Sequence, residues 1–228
     1  MIILNAGHTI SGVGRGAVGF FDESEHTRLI TTKLAEALKK QGKSVSVVTC
    51  DKANTTTESL KYITDRVNKV SNAEIFVSIH FNAYDTKAHG VEVYTMNGKQ
   101  HKEALKICEN ISSLGFYNRG VKNGSHLYVV KNTKPKALLI EICFCDNKKD
   151  ADLYLKNIDN ISKAIAESLT GEKMVTEDKE KCSLPEFEEA RQFLMNNGIT
   201  DGSRPKDNIT REEVFALLYR TLNYEAKF

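Results

Sequence analysis

Short apolar runs alternate with helical stripes along the first 171 residues of this 228-residue chain. Apolar, β-branched or aromatic runs at 2–5, 44–48, 75–80, 91–95, 127–130 and 137–144 predict strands. Between them, residues 23–41, 58–70, 99–114, 148–155 and 158–169 repeat their apolar positions every three or four residues, which predicts helices. Strands and helices in this order predict an α/β fold, with a twisted, mostly parallel or mixed sheet of about six strands and helices on both faces.

The pattern changes after Gly171. Residues 172–183 are polar and charged with one apolar pair, Met174-Val175, and read as a linker. Beyond them, 185–196 and 210–222 are two short helical patterns, with Thr210 and Glu213 forming a capping box at the start of the second. The expected division is a main domain over 1–171, a linker over 172–183 and a small helical module over 184–228. So short a module buries little surface by itself, so it is expected either to dock or to self-associate, and in the second case the chain is a homo-oligomer through this module.

Composition narrows the class. No apolar run approaches the roughly 20 residues that span a bilayer, which argues against a membrane partner. A net charge of +2 gives no electrostatic case for nucleic acid. The charge is unevenly placed, with 24 basic and 19 acidic residues before Val175 and 8 and 11 from there on. The mildly basic front suits an anionic polymer. The opening Met1-Ile2-Ile3-Leu4-Asn5-Ala6-Gly7-His8 lacks a basic n-region and reads as a first strand, not a secretory signal, so a cytoplasmic product is expected. Cys50, Cys108, Cys143, Cys145 and Cys182 are odd in number and show no C-x-x-C spacing, which predicts free thiols.

Four positions carry candidate chemistry. His8 follows the first predicted strand at its carboxyl end, where α/β sheets place their sites, although a lone loop histidine is more often a surface residue. His80 closes the apolar run Phe76-Val77-Ser78-Ile79, an unusual place for an imidazole in a purely structural strand. Phe21-Asp22-Glu23-Ser24-Glu25-His26 offers several ligands, and helical phase separates them. Ile30, Leu34, Ala37 and Leu38 define the inward face, and stepping back seven residues from Ile30 lands on Glu23. Glu25 falls in phase with Arg28, Thr32 and Glu36 on the solvated face, and His26 sits on the flank as a lesser candidate. Glu141 interrupts Ala137-Leu138-Leu139-Ile140 and Ile142-Cys143-Phe144. A carboxylate there is costly to bury unless it is paired, protonated or working at a site. Desolvation would raise its pKa towards that of a general base, and pairing to Arg or Lys is the alternative. Cys143 and Cys145 share its strand face, with packing as their expected role.

Taken together, these residues resemble the N-acetylmuramoyl-L-alanine amidase family of the zinc, phosphorylase/hydrolase-like type. The matching stretches are Asn5-Ala6-Gly7-His8 with the Gly-rich run to Gly19, Glu23 with Thr27, Ser78-Ile79-His80-Phe81-Asn82-Ala83, and Arg119-Gly120-Val121-Lys122 through Glu141 to Asn147-Lys148-Lys149-Asp150. The chain departs from the family at Ile142-Cys143, where a Gly-Phe pair is usual, and at Phe81, which replaces a small residue. The resemblance implies a Zn2+ held by His8, Glu23 and His80, with Glu141 as catalytic acid/base, and hydrolysis of the bond between muramic acid and L-alanine in peptidoglycan. With no secretory signal at the start, the expected setting is a phage endolysin that lyses the wall after holin-dependent release. The alternatives are a mother-cell lysis or autolytic amidase, and a non-catalytic wall-binding protein. A zinc carboxypeptidase would show an H-x-x-E pair, which the sequence lacks. Residues 190–219, with Gly198-Ile199-Thr200-Asp201-Gly202 and Ile209-Thr210-Arg211, resemble half of an S-layer-homology module, which implies wall attachment; a helical cap on the catalytic domain is the alternative.

Overall fold

The computed structural model describes residues 1–174, 185–200 and 211–225, and the chain divides into two units, Met1–Met174 and Val175–Phe228. The first unit runs β1 (Ile2–Ala6), β2 (Ser11–Gly12), α1 (Glu23–Lys40), β3 (Val45–Val47), β4 (Lys52–Ala53), α2 (Thr56–Val67) and β5 (Ile75–Asn82). It continues with β6 (Val91–Thr95), α3 (Lys102–Ser112), β7 (Asn118–Asn123), α4 (Tyr128–Asn132), β8 (Lys136–Phe144) and α5 (Lys148–Thr170). Six strands form one sheet in the order β3-β1-β5-β8-β6-β7. The first four of these run parallel, β6 pairs antiparallel with β8, and β7 is parallel to β6, so the sheet is mixed. Strands β2 and β4 form a separate short pair.

Alternation along the strands sorts the side chains onto two faces. Leu4, Val77, Ile79, Leu138 and Ile140 pack with Ile30 and Leu34 of α1, Ile107 of α3 and Ile161 of α5. Ile3, Phe76 and Leu139 face the other way, against Ile63 and Val67 of α2 and Val129 and Val130 of α4. By the same alternation Asn5, Ser78, His80, Glu141 and Glu92 belong to this second face. The register lines them up across the sheet: Asn5 opposite Ser78, His80 opposite Glu141, and Glu141 opposite Glu92. Asn5 and His80 lie near the carboxyl ends of β1 and β5, and Glu141 and Glu92 continue the row onto β8 and the start of β6.

The predicted strand at 127–130 is instead the start of α4. Val129 and Val130 are both buried although adjacent, which a strand with one buried face cannot arrange, and four apolar residues are too few to separate the two periods. The sixth strand is β7, whose Asn118-Arg119-Gly120-Val121-Lys122-Asn123 is polar because it pairs on one side only. The two helices expected at 148–155 and 158–169 are one, α5, which passes through a single non-helical residue, Asn157.

In the second unit, α6 (Pro185–Asn196) and α7 (Arg211–Glu225) occupy the two predicted helical segments. Most of the predicted linker, Cys182, the Thr210–Glu213 capping box and the Asp201-Gly202 part of the wall-module motif lie outside the described residues. Among the described residues, no helix is long and apolar enough to cross a membrane.

Candidate active site and metal centre

The site begins with a helix cap. Asp22 accepts the backbone N–H groups of Ser24 at 3.0 Å and Glu25 at 3.4 Å, and Arg15 holds its other oxygen at 2.7 Å. The first turn of α1 is thereby fixed with Glu23 pointing inward, 3% exposed, while Glu25 is exposed. Both Glu23 oxygens are engaged by the backbone: Oε2 accepts the Ala17 N–H at 2.9 Å and Oε1 the Phe81 N–H at 3.0 Å.

His8 sits where the chain leaves β1, with φ at 65°, a left-handed conformation that costs a non-glycine residue about 1–3 kcal/mol. Its neighbours hold it there. The Thr27 hydroxyl donates to Gly7 O at 3.0 Å, Arg28 Nη2 donates to His8 O at 3.1 Å, and the imidazole Nδ1 meets Gly14 O at 3.0 Å. A carbonyl only accepts, so Nδ1 carries the hydrogen, and the Nε2 lone pair faces Glu23 Oε1 at 3.1 Å. From β5, His80 brings Nδ1 within 3.3 Å of the same oxygen. The two rings stand 4.8 Å apart at 75°.

One ligand atom from each of His8, Glu23 and His80 lies within 4.8 Å of the other two. An imidazole lone pair and a carboxylate oxygen repel each other unless a proton or a metal ion stands between them. Two imidazoles and one carboxylate, converging from three separate elements, fit a divalent transition metal with room for a further ligand. Burial would raise the Glu23 carboxyl, but the flanking imidazoles outweigh it and hold the group well below the usual carboxylate range. Burial lowers both imidazoles. It prevails at His80, whereas at His8 the contact with Glu23 outweighs it and the net shift is upward.

Two glycines make room for this cluster. A Cβ on Gly7 would collide with the His80 ring, and one on Gly16 would come 2.7 Å from Glu23 Oε2 and 2.8 Å from the His8 ring. Glu141 stands directly across β8 from His80. Among the described residues its Oε2 is buried without a hydrogen-bond partner. Burial, reinforced by the carboxylates of Glu23 and Glu92, pushes its carboxyl well above the usual range. An acid so placed takes a proton readily, and among the described residues it pairs with no Arg or Lys, the alternative left open by the sequence.

The lesser candidates face elsewhere. His26 Nδ1 meets the Tyr154 hydroxyl at 2.9 Å, and its ring packs on Phe21. Cys143 and Cys145 are free thiols buried in the core, as are Cys50 and Cys108. Arg28, assigned to the solvated face by helical phase, is half-buried and donates to His8 O and Ser24 O while pairing with Asp51 at 2.8 Å. Glu92 was missed. It lies buried beside Glu141 and is held by Arg119 at 2.7 Å, the Tyr94 hydroxyl at 2.9 Å and the Asn82 amide at 3.0 Å. Its position within Val91–Thr95 raises the same burial cost that singled out Glu141.

Comparison with known proteins finds relatives of this chain. The N-acetylmuramoyl-L-alanine amidase family matches residues 2–171. The chain is 34% identical over 214 residues to an uncharacterised protein of Clostridium perfringens, covering 91% of this chain and 62% of that one. It spans 50% of a second C. perfringens relative, so it accounts for only about half to three-fifths of these proteins. It is 27% identical to the endolysin of Bacillus phage SPP1, over 100% of this chain and 83% of that one. Among solved structures, the catalytic domain of the CD27L endolysin targeting Clostridia difficile superposes with a TM-score of 0.70 at 30% identity, covering 76% of this chain and 98% of that one. By the extent of the family match and the fold it shares with these relatives, this chain belongs to the N-acetylmuramoyl-L-alanine amidase family.

Proposed function

We propose that the chain hydrolyses the amide between N-acetylmuramic acid and L-alanine in peptidoglycan, using a zinc ion held by His8, Glu23 and His80 and a proton carried by Glu141. The observation that carries this reading is the His8–Glu23–His80 cluster, with the half-buried Glu141, its Oε2 buried and unpartnered among the described residues, opposite His80 on the neighbouring strand. Zinc in such a site supplies Lewis acidity to a carbonyl oxygen and to an attacking water. The chain's own groups do the rest. Glu141 takes a proton from the water during attack and returns it to the leaving amine, a role favoured by a pKa raised above that of a free carboxyl, which makes its carboxylate the stronger base. Glu92, fixed by Arg119, Tyr94 and Asn82, keeps a negative charge beside it that favours the protonated state.

The biological setting that best suits this activity is lysis by a phage endolysin acting on the wall after release, in keeping with the similarity to two endolysins. Residues 184–228 would serve as a wall-binding module, joined by the linker to a catalytic domain over 1–171. The direct test digests purified wall and asks which terminus appears. New L-alanine amines, lost on chelation and restored by zinc, are expected. New reducing sugar ends would sink the proposal.

Gly7→Ala gives a second test. The Gly7 N–H donates to Ile79 O at 2.9 Å, and its carbonyl accepts from Thr27, so the backbone is tied and the His80 ring must yield to the added methyl. Zinc affinity is expected to fall roughly 10- to 100-fold, the range seen when a ligand loses its orienting contacts. An unchanged affinity by chelator competition would show that the His80 ring does not have to stay where the structure has it.

A further inference from the structure

Two buried polar side chains of the sheet take no part in the chemistry above. Asn5 interrupts the apolar β1 and is 1% exposed, and Ser78 interrupts β5 and is 0% exposed. They face each other in register across the parallel pair. A buried amide and hydroxyl in a sheet centre cost stability relative to apolar residues unless every hydrogen bond is made.

Donor and acceptor counting orients the whole chain of contacts. Asn5 Nδ2 lies 2.8 Å from Val48 O and 3.1 Å from Ala6 O. Both are carbonyls and can only accept, so the amide nitrogen must face them and Oδ1 must face Ser78. The Ser78 Oγ–Asn5 Oδ1 distance is 2.7 Å, and the hydroxyl has one hydrogen, which goes to Oδ1. Ser78 Oγ is then left as an acceptor for His80 Nε2, 3.2 Å away. An imidazole with its hydrogen on Nε2 carries its lone pair on Nδ1, the nitrogen turned to Glu23 Oε1.

We propose that Asn5 and Ser78 are positioning residues that fix the Nε2–H tautomer of His80 and so make Nδ1 its metal-ligating atom. The inference rests on the metal-site reading above. It also makes the two imidazoles unlike: His8 has its hydrogen pinned on Nδ1 by Gly14 O and ligates through Nε2, while His80 ligates through Nδ1. The two buried polar residues of the strands thus set the direction from which the second imidazole reaches the ion.

The test uses the full chain, zinc-loaded so that the ion stands between Glu23 and the two imidazoles, labelled with nitrogen-15 in its histidines, at about pH 8, above the ordinary imidazole range. Long-range nitrogen–proton correlation reads which ring nitrogen carries the hydrogen. In the parent protein His80 is expected as Nε2–H and His8 as Nδ1–H; His80 found as Nδ1–H overturns the proposal without any variant. In Asn5→Ala the Ser78 hydroxyl is free to donate to Nε2, so the His80 hydrogen is expected to move to Nδ1 while His8 stays as it was. Ser78→Ala removes the acceptor, and zinc affinity, measured by chelator competition, is expected to fall roughly 10- to 100-fold in both variants. Folded variants that keep the Nε2–H signal or bind zinc within about twofold of the parent reject the relay. None of these readings uses wall substrate, so a protein with the expected tautomers that releases no L-alanine amine fails the functional proposal and leaves this one standing.

Discussion

A Glu141→Gln variant is expected to keep its zinc, lose roughly 10²- to 10⁴-fold in amide hydrolysis, and become more stable than its parent in the zinc-free form. Zinc stays because the clustered ligand atoms come from His8, Glu23 and His80 alone. Activity falls because Gln cannot accept and return a proton. The gain in stability follows from Oε2, which is buried without a partner between the charges of Glu23 and Glu92. Folding raises the Glu141 pKa above its unfolded value, so the native state binds the proton more tightly. The stability from that preference is present below the unfolded pKa and lost as pH rises through the folded one. Glutamine has no ionised form to bury. Its advantage is therefore absent in acid and grows as pH rises through the folded pKa, by about 1.4 kcal/mol for each unit that separates the folded from the unfolded pKa. Denaturant unfolding of the stripped proteins across pH checks the sign. If the variant were less stable at neutral pH, Glu141 would be a paired structural carboxylate and not a strained functional one.

Glu23 and Glu141 were readable from the sequence for physical reasons that did not need the fold. Helical phase knows which side of α1 meets the sheet, and Glu23 is buried while Glu25 is exposed. Burial cost marks any carboxylate inside an apolar strand, and it would have marked Glu92 had it been applied to β6. Phase misjudged Arg28, because it describes a helix against its core and knows nothing of a loop folding over its flank. The Gly7-His8 turn and Asp51 supply Arg28 with partners that lie 20 or more residues away in sequence. The same limit hid β7. Its hydrogen bonds go to β6, while its polar side chains report its place at the sheet edge, so periodicity assigned the sixth strand to the apolar residues of α4 instead. Asn5 and Ser78 were visible as polar breaks in apolar runs. Their partnership depends on strand register, which no local pattern encodes.

Glu23→Ala and Glu25→Ala should separate completely, although the two residues are only one apart from Ser24. Glu25 is exposed, and its nearest cation, Arg15, is 3.9 Å away and already bound to Asp22 at 2.7 Å. Its removal is expected to change stability by no more than about 0.5 kcal/mol and to leave zinc and activity intact. Glu23 occupies the centre of the site. Truncating it deletes the carboxylate that both imidazoles face and leaves the N–H groups of Ala17 and Phe81 without their acceptors. The orphaned buried donor of Phe81 costs about 1–3 kcal/mol and the half-buried one of Ala17 less, although relief of the buried negative charge offsets part of it in the zinc-free protein. In the parent, chelation should abolish hydrolysis and added zinc restore it; in Glu23→Ala added zinc should restore nothing, because two imidazoles alone do not make a three-ligand site. Metal content by elemental analysis, together with unfolding midpoints, decides between the positions. Zinc retained in Glu23→Ala, or lost in Glu25→Ala, would put the carboxylate ligand on the other side of α1 and overturn the inward phase of its first turn.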